Sequence, residues 1–267
     1  MPKILENMVI VLTKRPEQSK EAILKLEKNG ASVISFPTIK IVPAENHREF
    51  DTSIKKFNTF DYIVFTSGNA VKHFVFRLDQ IQKRLNFDKT SVVAVGEKTA
   101  FACNRYQIPV DIVPKSFSAK GIAEELSKSD ITGKKFFIPC SSIARDELPE
   151  RLGQMGAKIT RLTVYDTIVP DGSETDKTVD VILNSKPDIF VFTSPSTFDN
   201  FVKILNLADP EDYFKGRTVA AIGPTTESAI RSKGVTVQIT PSKNTMNSLI
   251  DSVLNFYPIS DKIENQN

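Results

Sequence analysis

Asp61-Tyr-Ile-Val-Phe-Thr66-Ser67-Gly68-Asn69-Ala-Val-Lys-His73-Phe74-Val75 returns later in the chain as Asp188-Ile-Phe-Val-Phe-Thr193-Ser194-Pro195-Ser196-Thr-Phe-Asp-Asn200-Phe201-Val202. The register extends beyond that stretch. Val92-Val-Ala-Val-Gly96-Glu-Lys98-Thr99 answers Val219-Ala-Ala-Ile-Gly223-Pro224-Thr225-Thr226, and Pro114 answers Pro241, all at one offset of 127 residues (188 − 61, 223 − 96, 241 − 114). Nearer the N-terminus, Ile10-Val-Leu-Thr13 and Gly30-Ala-Ser-Val33 match Phe136-Phe-Ile-Pro139 and Gly156-Ala-Lys-Ile159 at an offset of 126 (136 − 10). Two copies of one structural unit, one starting near Met8 and the other near Lys134, describe the chain. With only two copies, the expected arrangement is a pair of domains facing a common cleft rather than a solenoid.

Short strand-like runs alternate with helical patterns along both copies. Such runs fall at Met8–Leu12, Val33–Phe36, Tyr62–Phe65, Val92–Val95, Asp111–Val113 and Lys135–Ile138, with second-half counterparts at Lys158–Leu162, Ile189–Phe192, Val219–Ile222 and Val235–Ile239. Apolar residues such as Ala22, Leu24 and Leu26, before Gly30, carry the intervening helices. The alternation predicts an α/β protein with two flavodoxin-like domains built on parallel sheets. Two Pro-bounded, β-branched pieces, Pro37–Pro43 and Thr163–Pro170, read as strand-like linkers able to pair as a ribbon between the domains.

Length and composition agree. A chain of 267 residues has room for two domains, and 40% hydrophobic with 25% charged residues is ordinary for a soluble globular protein. No apolar run approaches the ~20 residues of a membrane span, and Met8–Leu12 is too short for a signal-peptide core. The expected location is therefore the cytoplasm, with no membrane partner. Cys103 and Cys140 give no disulfide framework and read as buried small apolar groups. A net charge of +3 without a basic stripe speaks against nucleic acid as a partner. The polar residues of 258–267 suggest a frayed tail.

Ligands of open α/β sheets bind beyond the carboxyl ends of the strands. Here those loops read Thr13–Pro16, Thr66–Asn69, Gly96–Thr99, Lys115–Gly121, Cys140–Ser142, Thr193–Ser196, Gly223–Thr226 and Ser242–Thr245. Nearly all combine small residues, hydroxyls and a helix start, an arrangement that offers unpaired backbone N–H groups to carboxylates or phosphates. Ser67, Ser194 and Thr225 also read simply as helix N-caps. There is no G-x-x-x-x-G-K-[ST], no G-x-G-x-x-G and no Cys/His cluster with metal spacing. His47 and His73 are the only histidines, and Asn200 replaces His73 in the second copy, so both are expected on the surface.

Taken in order, several of these pieces resemble the uroporphyrinogen-III synthase family. They are Val-Leu-Thr13-Lys14-Arg15-Pro16-Glu, Val64-Phe-Thr66-Ser67-Gly68-Asn69-Ala-Val, Ala94-Val-Gly96-Glu-Lys98-Thr99, Val164-Tyr165-Asp-Thr167, Phe192-Thr193-Ser194-Pro195-Ser196 and Ala221-Ile222-Gly223-Pro224-Thr225-Thr226. Lys14 stands inside what is more commonly Thr-Arg-Pro in the family. The resemblance implies one discontinuous domain from residues 1–37 and 168–267, a second from 44–162, and linker strands at 38–43 and 163–167. It implies a substrate, hydroxymethylbilane, a linear tetrapyrrole with eight carboxylates, closed to uroporphyrinogen III with inversion of ring D and loss of water. It implies no cofactor and no metal. A monomer suffices, with a transient contact to the preceding pathway enzyme as its expected protein partner.

Within the resemblance Tyr165 takes the place of the candidate general acid. Arg15, Thr66, Ser67, Gly68, Asn69, Gly96, Lys98, Thr99, Ser118, Ser141, Thr193, Ser194, Pro195, Ser196, Gly223, Pro224, Thr225 and Thr226 form the expected substrate-binding set. The competing expectations are a packing role for Tyr165 at the hinge, a non-catalytic tetrapyrrole or polycarboxylate binding protein on the same fold, and a flavodoxin-type phosphate-ligand enzyme.

Overall fold

A computed structural model describes residues 3–257; the tail expected at 258–267 lies outside the described residues. In chain order the first half runs β1 (Val9–Leu12), α1 (Pro16–Lys28), β2 (Ser32–Ser35), β3 (Lys40–Pro43), α2 (Arg48–Lys55), β4 (Tyr62–Phe65), α3 (Gly68–Gln80), β5 (Ser91–Ala94), α4 (Glu97–Arg105) and α5 (Ala119–Leu126). The second runs β6 (Lys135–Ser141), α6 (Glu147–Gln154), β7 (Lys158–Ile168), α7 (Gly172–Ser185), β8 (Ile189–Phe192), α8 (Pro195–Ile204), α9 (Pro210–Phe214), β9 (Thr218–Ala221), α10 (Pro224–Arg231) and α11 (Met246–Phe256).

The chain divides into two compact units, one drawing on residues up to Lys40 and from Val169 onward, the other comprising Ile41–Ile168. The first unit carries a sheet ordered β2-β1-β8-β9, with Ile239 bridged in parallel to Ala220 beyond β9. Numbered within that unit the order is 2-1-3-4-5, the flavodoxin arrangement. The second unit carries β3-β7-β6-β4-β5, with Ile112 bridged to Val93. Its β7-β6-β4-β5-Ile112 portion repeats the same order, with β3 added at the edge beside β7.

Each unit therefore takes the front of one sequence copy and the back of the other. The joins are built alike. Asp188 Oδ2 accepts the Val9 amide at 2.8 Å, and its equivalent Asp61 accepts the Lys135 amide through Oδ2 at 2.8 Å. Asp61 Oδ1 also takes Lys134 Nζ at 3.1 Å. At the far side, Asp111 accepts the Val92 amide at 2.7 Å and Gln238 the Val219 amide at 2.8 Å. These side chains occupy donors that continued strands would use. That is why the strands expected at 111–113 and 235–239 are reduced to single bridges.

Alternation along the strands covers both sheet faces with core. In the first unit Val11, Phe190, Phe192, Val219 and Ala221 join one cluster, while Ile10, Leu12, Ile189, Val191 and Ala220 join another. In the second, Ile63, Phe65, Val92 and Phe137 pack on one side and Val64, Val93, Phe136 and Ile138 on the other. Helix α1 buries Ala22 and Leu26, but Leu24 is exposed on its outer face. Helices α1 and α6 both end at glycines of positive φ, Gly30 at 98° and Gly156 at 84°. In each case the next residue donates back across the last turn, Ala31 to Leu26 and Ala157 to Leu152, closing the helix in the Schellman manner.

Candidate functional site

Parallel strands end on one edge, so the loops after β4, β5, Ile112 and β6 gather at the carboxyl edge of the second unit's sheet. Thr66, Ser67, Gly68 and Asn69 are half-buried there. Ser67 caps α3 by accepting the Ala70 amide at 3.1 Å, and Ser118 caps α5 by accepting that of Gly121 at 3.0 Å. Gly96 precedes α4, and its missing side chain leaves room for the ring of Phe117: a Cβ there would stand 2.8 Å from Phe117 Cγ. Phe117 is 62% exposed. Lys98 is exposed, whereas Thr99 and Ser141 are buried.

Tyr165 lies on β7 beside Ser141. Register slips between Cys140, which pairs with Thr163, and Ser141, which pairs with Tyr165. The extra residue, Val164, makes a bulge that resets the alternation, so Val164 and Tyr165 are both buried. Tyr165 Oη sits 3.3 Å from Ser67 Oγ, and its ring stacks on His73 with centroids 5.4 Å apart and planes 29° apart.

His73 is the main departure from expectation. It is not a surface residue but 8% exposed, on the face of α3 that also buries Ala70, Val71, Phe74 and Leu78. It follows Ala70 of that face by three residues, the spacing of neighbours on a helix surface. Burial first, and then the charge of Lys72, lowers its pKa from the ordinary histidine value. His47 is half-buried, and its pKa is also lowered, by burial and by Arg77.

Behind the second unit's loops stands Arg161 of β7, a residue the sequence reading missed. It donates to Ala144 O at 2.6 Å, to Cys140 Sγ at 3.3 Å and to Asp146, tying the stretch after β6 to the sheet. Nothing in its sequence surroundings distinguishes it from any other strand residue. Both cysteines are buried, and burial pushes the Cys103 thiol up to about 12.

The first unit repeats the plan with different chemistry. Ser194 caps α8 by accepting the Thr197 amide at 3.2 Å. Thr197 Oγ1 in turn accepts the Ser194 amide at 3.1 Å and the Thr193 amide at 3.2 Å, and donates to Ser194 O at 2.7 Å. Thr197 thus satisfies two donors that the loop would otherwise offer to a ligand, which the sequence reading did not anticipate. Ser196 is exposed and bonds to Ser194 Oγ at 3.0 Å, while Pro195 is half-buried. Gly223 receives the Asn244 side chain where Gly96 receives Phe117. Pro224 and Thr225 are exposed at the start of α10, and Thr226, like Thr99, is buried.

Arg15 occupies the N-cap of α1 with no side-chain cap bond. With Pro16, Phe36, Pro37, Lys40 and Thr175 it lines a cavity of about 270 Å³ in the first unit. Its wall carries Arg15 and Lys40 together with the carboxylate of Glu17. Among the described residues no cluster of His, Cys, Asp and Glu could hold a metal ion, and no helix is long and apolar enough to cross a membrane.

Two parallel sheets of flavodoxin order, each with capped helix starts along its carboxyl edge, define a duplicated mixed α/β protein. A family profile described as uroporphyrinogen-III synthase HemD matches residues 20–251. A uroporphyrinogen-III synthase of Chlorobaculum parvum is 30% identical over 88% of this chain and 93% of its own. A putative uroporphyrinogen-III synthase of Methanothermobacter thermautotrophicus is also 30% identical, over 90% and 95%. Among solved structures, a uroporphyrinogen-III synthetase from Helicobacter pylori superposes with a TM-score of 0.61 at 17% identity, covering 93% of this chain and 99% of that one. A Thermus thermophilus uroporphyrinogen III synthase mutant gives 0.60 at 17%, covering 93% and 98%. The chain belongs to the uroporphyrinogen-III synthase family.

Proposed function

We propose that this chain is a cyclising lyase of tetrapyrrole biosynthesis, closing hydroxymethylbilane to uroporphyrinogen III with inversion of ring D and loss of water. Family membership supports the reaction. The observation that carries the site is the pairing of Tyr165 Oη with Ser67 Oγ at the carboxyl edge of a parallel sheet.

The substrate's eight carboxylates call for many donors rather than one strong catalytic group. Helix starts at Ser67, Gly96, Ser118 and Gly223 supply N–H groups, and each terminus contributes roughly 0.3–1 kcal/mol toward an anion when exposed. Arg15 adds a charged donor. In this reading Thr66, Gly68, Asn69, Lys98 and Ser141 add binding groups on the second unit, and Thr193, Ser194, Pro195, Ser196, Pro224 and Thr225 on the first. The buried hydroxyls of Thr99 and Thr226 shape their loops, leaving the neighbouring amides to meet the ligand.

Loss of the substrate hydroxyl leaves a cation delocalised over the adjoining pyrrole, and the same substrate closes without help to the uninverted ring. The protein must assist the departure and choose the geometry of closure. Tyr165 assists by donating its phenolic hydrogen bond to the leaving oxygen, which departs as water. Favouring one closure a hundredfold needs only about 2.7 kcal/mol of differential transition-state stabilisation, within the reach of positioning alone. The protein works without a cofactor, as a monomer in the cytoplasm, receiving its short-lived substrate from the enzyme that makes it.

The test is to supply purified protein with freshly made hydroxymethylbilane and resolve the uroporphyrin isomers after oxidation. Isomer III in proportion to protein supports the reading. Isomer I alone, at the rate of buffer, overturns it and points to a binding protein on the same fold.

A further inference from the structure

We propose that His73 and Ser67 are positioning residues for Tyr165, His73 holding the phenol ring by stacking and Ser67 directing its proton outward. The inference rests on the reading of Tyr165 as the donor to the leaving hydroxyl, and it explains how a buried phenol keeps that proton available.

Ser67 Oγ already accepts the Ala70 amide at 3.1 Å. Its own proton can bridge the 3.3 Å to Tyr165 Oη, and we take Ser67 as the donor of that pair. With Ser67 donating, the phenol oxygen is the acceptor in that pair, and the Tyr165 O–H points away from Ser67. The opposite polarity would spend the Tyr165 proton on the serine. A bond donated to the phenol oxygen also stabilises the negative charge that grows there as the proton moves toward the leaving group.

His73 supplies the second constraint. It is 8% exposed, and its Nδ1 is buried with no hydrogen-bond partner among the described residues. Burying a ring nitrogen unpartnered disfavours the fold, so the ring contributes through its face. That face lies on Tyr165, at 5.4 Å and 29°. Burial and Lys72 both hold its pKa down, which favours the neutral ring in the stack. A phenol pinned between an imidazole face and a serine cap keeps one orientation, and misaiming a proton donor by about 1 Å costs on the order of a hundredfold in rate. In the other unit the equivalent residue, Asn200, bonds to Thr38 O at 2.9 Å, so only the second unit couples this helix position to a phenol.

The full-length protein tests this with steady-state kinetics of isomer III formation and with the resonance of Tyr165 in 13C-tyrosine-labelled protein. Tyr165→Phe identifies that signal among five tyrosines. His73→Ala is expected to lower kcat on the order of tenfold or more with KM nearly unchanged, and to shift the Tyr165 resonance. His73→Phe, which keeps a ring at the same place, restores most of kcat. Combined with Tyr165→Phe, His73→Ala adds no further loss. Ser67→Ala lowers kcat and Ser67→Thr recovers it. The proposal is overturned if His73→Ala leaves kcat intact, if His73→Phe is as slow as His73→Ala, or if His73→Ala slows Tyr165→Phe by its full factor. Should the parent protein form no isomer III, the proposed reaction fails, and the resonance still decides: a Tyr165 signal unmoved by His73→Ala rules out the positioning contact.

Discussion

Thr197 and Ala70 hold the same place in the two halves of the duplication, at the third position of α8 and of α3, and only Thr197 carries a hydroxyl. Through that hydroxyl α8 closes a reciprocal capping box that α3 cannot form. Thr197→Ala should therefore convert the first unit's loop to the type found in the second. Losing the box is expected to lower unfolding stability by roughly 1–2 kcal/mol. Chemical denaturation measures it, and an unchanged midpoint would mean that the Ser194 cap alone suffices.

Tyr165→Phe is expected to reduce kcat well over tenfold, the lower part of the range for a positioned acid. Tyr165 is 8% exposed and packed within an apolar cluster, and the phenylalanine ring refills the same space. The thermal midpoint should thus stay close to that of the parent. Near-normal turnover would assign Tyr165 to packing and remove its part in the reaction.

Acid sensitivity follows from His73. Its folded pKa lies below the ordinary 6.5, so the unfolded chain takes up a proton first. The contribution to stability is complete above pH 6.5 and is lost as pH falls from there through the folded pKa. His73→Phe removes this component. Between pH 7 and pH 5 the parent should lose more of its urea midpoint than the variant does. A residual loss is expected in both, because His47 shifts in the same direction. Equal losses in the two proteins would show that His73 is not desolvated in solution.

The repeat made the fold legible because the positions it preserves are those that build each sheet. Asp61 and Asp188 recur since each must bond the first amide of a neighbouring strand, and the glycines at 30 and 156 recur since each closes a helix at positive φ. The loops were legible as helix starts for the same reason. Polarity inside them was not. Whether a loop amide is offered outward or consumed depends on a residue three places on, as at Thr197, and whether a histidine is buried depends on which helix face it shares, as at His73. Arg161 reaches Ala144 and Asp146 across a strand pair, a relation set by sheet register that no local sequence pattern records. The strands expected at 111–113 and 235–239 failed because Asp111 and Gln238, polar residues beside β-branched ones, turn their side chains onto the neighbouring strand.

Two glycines of the second unit set opposing effects against each other. In the first turn of α5, Gly121→Ala ought to stabilise the helix by about 0.5–1 kcal/mol if propensity alone decided. A Cβ there, however, would stand 2.0 Å from Ser116 O and 2.8 Å from Ser116 C. Backbone atoms cannot swing aside, so residues 116–118 must move as a group. That movement strains the bond from the Ser118 amide to Ser116 O, 2.9 Å, and the Ser118 cap on Gly121 itself. Sterics outweigh propensity, and a net loss of about 1–3 kcal/mol is expected. Ser248 holds the equivalent place in the first unit, so the need for glycine comes from the close approach of Ser116 and not from the helix start. At Gly96 the obstacle is instead the Phe117 ring, 62% exposed and free to rotate into solvent. Gly96→Ala should accordingly change stability by less than about 1 kcal/mol, while moving the aromatic group at the sheet's carboxyl edge. Paired thermal melts decide between the two cases: equal effects would mean that the loop at 116–118 yields as readily as a single side chain.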